Sequence, residues 1–327
     1  MNSAEELRKL VNKEFDRRLA QLNARTPKEL YAPVNYSLGA GGKRLRPVLL
    51  LMSFNLFSDE IEKALSTAIA VEVFHNFTLL HDDIMDKAEV RRNNPTVHVK
   101  FSENNAILSG DAMAFLSYQY LTENRTPQLF DVVNLFTETA LQVCEGQQYD
   151  MDFENRMDVT EEEYLEMIRL KTAVLLGCSL KAGALLAGTA GETAQRLYDF
   201  GINLGLAFQL QDDWLDTFGN QKDFGKKIGG DILANKKTWL LIKALEKASG
   251  QAKTSLNYWL NAKEYTEEEK INSIIAVYNE LGIKALGEEK IKYYFNTSEK
   301  IMQDLPVSEL RKASLQKFSR SMLGRSV

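Results

Sequence analysis

A chain of 327 residues, 44% hydrophobic and 26% charged, has enough apolar matter for a large core and too little bias for a disordered or collagen-like polymer. Its 40 basic and 45 acidic residues leave a formal charge of -5, which excludes general attraction to nucleic acid or a membrane surface; any bound anion must meet a local basic cluster. With 6 prolines and 19 glycines as punctuation, the chain predicts an all-α fold, a single-domain bundle of roughly ten or more helices over residues 1–327.

Taken in chain order, the first 22 residues are charged and amphipathic and lack the apolar core of a secretory signal. Apolar residues then recur at spacings of three and four, as in Leu7, Leu10, Val11 and Phe15, or Ala64, Leu65, Ala68 and Ile69. Breaks are expected at Thr26-Pro27, 39–42, 93–95, 124–127, 152–160, 219–230 and Ser249-Gly250. Thr160 followed by Glu163 reads as a helix capping box, with a structural role only. No apolar run reaches the roughly 18 residues that span a bilayer. The cysteines, Cys144 and Cys178, fit neither a disulfide framework nor a zinc site, so a reducing, cytoplasmic setting is expected.

Two acidic clusters interrupt this pattern. In HDDIMD, Asp82 and Asp86 stand four apart and share a helix face, with Asp83 beside them; in QLQDDWLD, Gln209 precedes Asp212, Asp213 and Asp216 in the same arrangement. Like charges so placed in apolar segments need a cation, and paired hard oxygens suit Mg²⁺, which completes its shell with water and phosphate. The clusters lie 130 residues apart and predict a two-sided clamp for a polyanion. Cations stand where such a ligand needs them: Lys43, Arg44 and Arg46 after Gly41-Gly42, the pair Arg91-Arg92, Lys171 inside the apolar run LKTAVLLG, and Lys226 and Lys236 in GKKIGGDILANKK. Their number suits two diphosphates.

These segments, GGKRLRP, HDDIMDKAEVRRNNPTVH, Gly110-Asp111, LKTAVL, QLQDDWLD, GKKIGGD and NKKT, resemble those of the trans-type isoprenyl diphosphate synthases, or polyprenyl synthetases, over most of residues 41–238. The resemblance implies an all-α bundle around a deep apolar cavity, a homodimer, and a Mg²⁺-dependent prenyltransferase using three ions. It implies condensation of isopentenyl diphosphate with an allylic diphosphate (dimethylallyl, geranyl or farnesyl), by ionisation, attack and proton loss. Carried over residue by residue, Lys43, Arg46, His75 and Arg92 would hold isopentenyl diphosphate. Asp82, Asp86 and Asp212 would ligate the metal, with Asp83, Asp213 and Asp216 supporting them. Arg91, Lys171, Lys226 and Lys236 would meet the allylic diphosphate, and Thr172 and Gln209 would face the carbocation, completing a catalytic set with Lys171 and Arg91.

Where the family commonly has glycine after the paired arginines, this chain has Asn93, the residue that best tolerates a positive φ. Product length is expected to be C15 to C20, set by a floor of Phe74, Phe77 and Thr78. The helical wheel favours Phe74 as the stop, and the resemblance favours Phe77. Two rival readings carry their own signatures. A non-catalytic subunit of a heteromeric synthase would lose an acidic motif, and a terpene cyclase would need no second cationic set.

Overall fold

A computed structural model describes residues 2–189, 191–219 and 228–324. Among them, helix dominates, and the strands are two two-residue pieces. Of the expected breaks, 219–230 lies largely outside the described residues and 93–95 falls in the strand pair; the others separate helices, and further breaks near residues 56–61, 187–189, 262–266 and 304–308 add more. The chain divides into two compact units, and four of the five boundaries fall inside helices, the fifth between Leu305 and Pro306 in a loop.

The first unit comprises Met1–Thr137, Cys178–Leu197 and Pro306–Leu315. It holds α1 (Ala4–Asn23), α2 (Lys28–Gly39), α3 (Leu45–Asn55), α4 (Glu62–Met85), the strands β1 (Val90–Arg91) and β2 (Asn94–Pro95), α5 (Val97–Lys100), α6 (Glu103–Leu121) and the start of α7 (Leu129–Glu154). Ser3 and Glu6 close a reciprocal capping box on α1. Helix α3 is apolar on every side and is buried from Pro47 through Asn55, while α4 packs chiefly on α6 and α3. Arg44 turns into this core. Its guanidinium meets Glu72 at 3.0 Å and the Leu38 carbonyl at 3.1 Å, and lies 4.3 Å from the Phe15 ring centre. Of the basic residues after Gly42, Arg44 therefore serves the fold.

The second unit comprises Glu138–Gly177, Tyr198–Leu305 and Gln316–Val327. It contains the rest of α7, then α8 (Glu161–Ile168), a π-helical turn (Arg169–Ala173), the start of α9 (Val174–Leu186), most of α10 (Glu192–Phe218), α11 (Gly230–Leu233), α12 (Trp239–Lys247), α13 (Gly250–Asn261), α14 (Glu267–Glu280), α15 (Ile283–Gln303) and part of α16 (Glu309–Leu323). The Thr160–Glu163 box caps α8 as expected. Tyr164, Leu210, Trp214, Leu240, Tyr278 and Ile291 anchor its core. The π-helical turn is wedged between two glycines. A Cβ on Gly205 would stand 2.6 Å from the Ala173 Cα, and one on Gly146 would stand 2.7 Å from the Lys171 Cα. Both contacts are too short for any side chain but hydrogen.

Candidate active site

Each acidic cluster ends a helix. Asp82 lies in the last turn of α4 and Asp86 is its C-cap, the Asp86 N–H donating to the Asp82 carbonyl at 2.8 Å. Asp212, Asp213 and Asp216 occupy the last two turns of α10. Exposed carbonyls at a helix C-terminus already carry partial negative charge, so carboxylates there are disfavoured unless a cation joins them. Among the described residues, no three His, Cys, Asp or Glu side chains form a closed metal cage. An open pair of hard oxygens is what Mg²⁺ accepts when phosphate completes its shell, so the donors at Asp82, Asp86 and Asp212 fit the ion.

In the first unit, Asp83 is buried and accepts from Arg91 Nε at 2.7 Å, while Arg91 Nη2 reaches Asp82 at 3.4 Å. Burial pushes the Asp83 carboxyl up, against the pull of Arg91. Arg91 ends β1, and the paired Arg91 and Asn94 leave Arg92 and Asn93 as a two-residue hairpin loop. Both loop residues have positive φ, 52° and 61°, as a type I′ turn requires. The turn carries Arg92 back so that its Nη1 donates to the Gly41 carbonyl. Gly42, at φ +145°, lets it arrive, since a Cβ there would stand 3.0 Å from that nitrogen. Lys43 is exposed beside it.

Arg46 and His75 meet at 3.0 Å through Nη1 and Nε2. Arg46 Nε is buried without a hydrogen-bond partner among the described residues. Burial lowers the Arg46 pKa to about 10, and burial together with the Arg46, Arg92, Arg91 and Arg44 charges drives His75 well below its ordinary value. Deeper along α4, Phe74 is buried with its ring 5.2 Å from Phe136 and 5.4 Å from Phe77. Phe77 is half-buried against His81, and the Thr78 hydroxyl donates to the His75 carbonyl at 2.9 Å.

In the second unit, the π-helical turn presents Lys171 and Thr172. Lys171 Nζ reaches Asp150 at 2.6 Å, and Thr172 Oγ1 donates to Gln209 Oε1 at 3.1 Å. Gln209 Nε2 donates to Asp213 Oδ1 at 2.9 Å, and the Tyr164 hydroxyl donates to Asp213 Oδ2. Asp213 is buried, and burial above all raises its pKa. Asp216 accepts at Oδ2 from the Asp231 N–H at 2.9 Å, tying the end of α10 to α11. Lys236 is exposed, and its charge acts on Asp150, Asp213 and Asp231. Lys226 lies outside the described residues.

Three participants escaped the sequence reading. Asp150 is pushed up by burial, yet Lys236 and Lys171 outweigh that and hold it below its ordinary value. Its signal was Lys171 itself, an ammonium in an apolar run, which demands an anion even without substrate. Tyr164 stands in an apolar helical pattern and Asp231 falls within GKKIGGDILANKK, so neither carries a sequence signal of its own.

The polyprenyl synthetase family model matches residues 27–278, a span that contains all of these site residues. The chain belongs to the polyprenyl synthetase family. The enzyme is 38% identical over 313 residues to a geranylgeranyl diphosphate synthase of Sulfolobus acidocaldarius, covering 92% of this chain and 94% of the relative. It is 38% identical over 258 residues to a geranylfarnesyl diphosphate synthase of Natronomonas pharaonis, covering 73% and 74%. A crystal structure of a geranylgeranyl pyrophosphate synthase superposes with a TM-score of 0.94 at 43% identity, covering 100% of each chain. The all-α fold expected from the sequence is thus that of the family, and this protein is a prenyltransferase enzyme.

Proposed function

We propose that the enzyme condenses isopentenyl diphosphate head-to-tail with an allylic diphosphate to give an all-trans C15 to C20 prenyl diphosphate. The observation that carries this reading is Arg46. A buried guanidinium N–H without a partner, beside a histidine held neutral, asks for an anion at a place apart from the carboxylates of α4. Lys43 and Arg92 join it as the holders of isopentenyl diphosphate. A second anion site also disfavours a terpene cyclase, and the retention of both acidic groups disfavours a non-catalytic subunit.

Asp82, Asp86 and Asp212 would hold three Mg²⁺ ions together with the allylic diphosphate. Bound there, the metal supplies positive charge to the departing diphosphate. Arg91, Lys171, Lys226 and Lys236 add charge-assisted hydrogen bonds to the same group, so the allylic C–O bond breaks and the negative charge stays with diphosphate. The Gln209 carbonyl and the Thr172 hydroxyl turn negative dipole ends toward the delocalised cation. The isopentenyl double bond attacks it, and the released diphosphate takes the proton that restores the alkene. Exclusion of water is required, because water would quench the cation.

Phe77 and Phe74 with Thr78 form the floor that ends growth. Exposed apolar side chains on α6 and at the start of α7, Leu108, Phe115 and Phe130 at 58%, 76% and 74%, support a homodimer through that face. Cys144 and Cys178 form no disulfide, which supports a cytoplasmic setting, and among the described residues no helix is long and apolar enough to cross a membrane. We take the whole chain as one synthase domain.

The test is the purified chain alone, given labelled isopentenyl diphosphate and each of dimethylallyl, geranyl and farnesyl diphosphate with Mg²⁺. C15 to C20 products by chromatography are expected. Primer turnover that does not consume isopentenyl diphosphate would overturn the reading.

A further inference from the structure

Gln209 can serve a cation only if its amide is turned the right way. A glutamine amide flips by half a turn with little intrinsic preference, exchanging a partially negative oxygen for a partially positive NH₂. Its partners decide, and here they form one chain. An ionised carboxylate only accepts, so Asp213 Oδ1, at 2.9 Å from Gln209 Nε2, takes the NH₂ side and sends the carbonyl the other way, toward Thr172 at 3.1 Å. Asp213 can aim Oδ1 only if its own plane is fixed. The Tyr164 hydroxyl does this from the far side by donating to Oδ2.

Tyr164 is 1% exposed and Asp213 is 4% exposed, so water does not compete for the oxygens between them. Tyr164 sits on α8, Thr172 on the π-helical turn, and Asp213 with Gln209 on α10. The chain of bonds therefore crosses three elements of the second unit. A tyrosine serving only as core would need its ring alone; here the hydroxyl has an assigned acceptor.

We propose that Tyr164 is a positioning residue, which through the buried Tyr164–Asp213–Gln209–Thr172 chain holds the Gln209 carbonyl outward for the carbocation. The inference rests on the proposed role of Gln209 toward the cation. It assigns to α8 a part in the reaction although Tyr164 touches no substrate.

The experiment is a double-mutant cycle on the full chain with both substrates and Mg²⁺. Tyr164→Phe keeps the ring and removes only the donor, so circular dichroism should show a folded protein. Its kcat should fall about tenfold or more with the KM of each substrate within about twofold, because an oriented dipole acts in the transition state and not in ground-state binding. In a Gln209→Ala background, itself slow, Tyr164→Phe should cost less than about twofold further, since residues acting through one group are not additive. The Gln209 side-chain amide signals in a ¹H–¹⁵N spectrum should also shift in Tyr164→Phe, which reads the positioning without catalysis. Unchanged kcat in Tyr164→Phe beside a slow Gln209→Ala overturns the inference, as does full additivity in the double variant. If Gln209→Ala is itself at wild-type rate, the role of Gln209 falls and the inference falls with it, a result distinct from the other two.

Discussion

At the scale of single residues, Arg46 and His75 give the sharpest expectations. His75 has a folded pKa well below the ordinary 6.5, so the native state keeps it neutral, while the unfolded chain takes up a proton as the pH falls below that value. Its contribution to stability is complete above the unfolded pKa and declines under acid. In ¹H–¹⁵N spectra the imidazole should stay neutral at pH 6, and inorganic diphosphate should raise its pKa by adding negative charge beside it. Arg46→Ala should raise the KM for isopentenyl diphosphate about tenfold or more and leave that of the allylic substrate nearly unchanged. A steady-state comparison of the two KM values checks this. The sequence shows that Lys43, Arg44 and Arg46 are cationic, but it cannot show that Arg44 faces Glu72 while Arg46 faces His75, because which side of a helix start meets the core is set by packing. Asp150 stayed hidden for the same reason: its partner is 21 residues away in the chain.

At the scale of elements, the breaks rich in Gly, Pro and Asn were legible, since these residues most readily adopt the backbone that turns require. The hairpin and the π-helical turn were not. Arg92 at φ 52° carries no local signature, and the turn after Arg91 closes because Gly42 admits its side chain. The π-helical turn depends on glycines in α7 and α10, far from it in sequence. Gly205→Ala should therefore lower kcat more than about tenfold and depress the melting temperature, since a methyl at 2.6 Å from the Ala173 Cα must move the backbone that carries Thr172. Kinetics and calorimetry on that variant read both effects. On α4, the two floor rings separate by burial. Phe74→Ala removes a ring locked against Phe136 and should cost about 3–5 kcal/mol in stability. Phe77→Ala, half-buried, should mainly lengthen the product, by about one isoprene unit, since the three helical residues between it and Phe74 rise about 4.5 Å. Denaturant titration and product chromatography distinguish them.

At the scale of the whole molecule, the net charge of -5 conceals a division of labour. Part of the acidic surplus ends α4 and α10, where the helix termini make it costly, so a divalent cation with diphosphate should stabilise the fold. At a hundredfold excess over its dissociation constant, such a ligand contributes about 2.7 kcal/mol. Mg²⁺ with inorganic diphosphate should raise the melting temperature by several degrees, and Asp82→Ala should lose that rise. Acid acts elsewhere too. Glu161 on α8 meets Lys290 at 2.7 Å, Trp239 Nε1 at 3.0 Å and Lys243; although burial pushes its carboxyl up, these partners hold it at about 2. Its stabilisation is present above the unfolded value of about 4.5 and is lost as the pH falls toward 2.

The π-helical turn over Arg169–Ala173 has a meaning for the history of the chain. Such a turn contains one residue more than an α-helical turn, so the rod from α8 into α9 reads as a continuous helix that has received a single inserted residue. Removing that residue would mend the helix and leave it indistinguishable, by composition or periodicity, from its neighbours. Every side chain beyond the cut would then swing by about 100°, the angle of one helical step, taking Thr172 off Gln209 or Lys171 off Asp150. Lineages of this enzyme can thus exchange residues in the segment but cannot change its length, and gaps in their aligned sequences should avoid residues 164–177 while collecting in the loops.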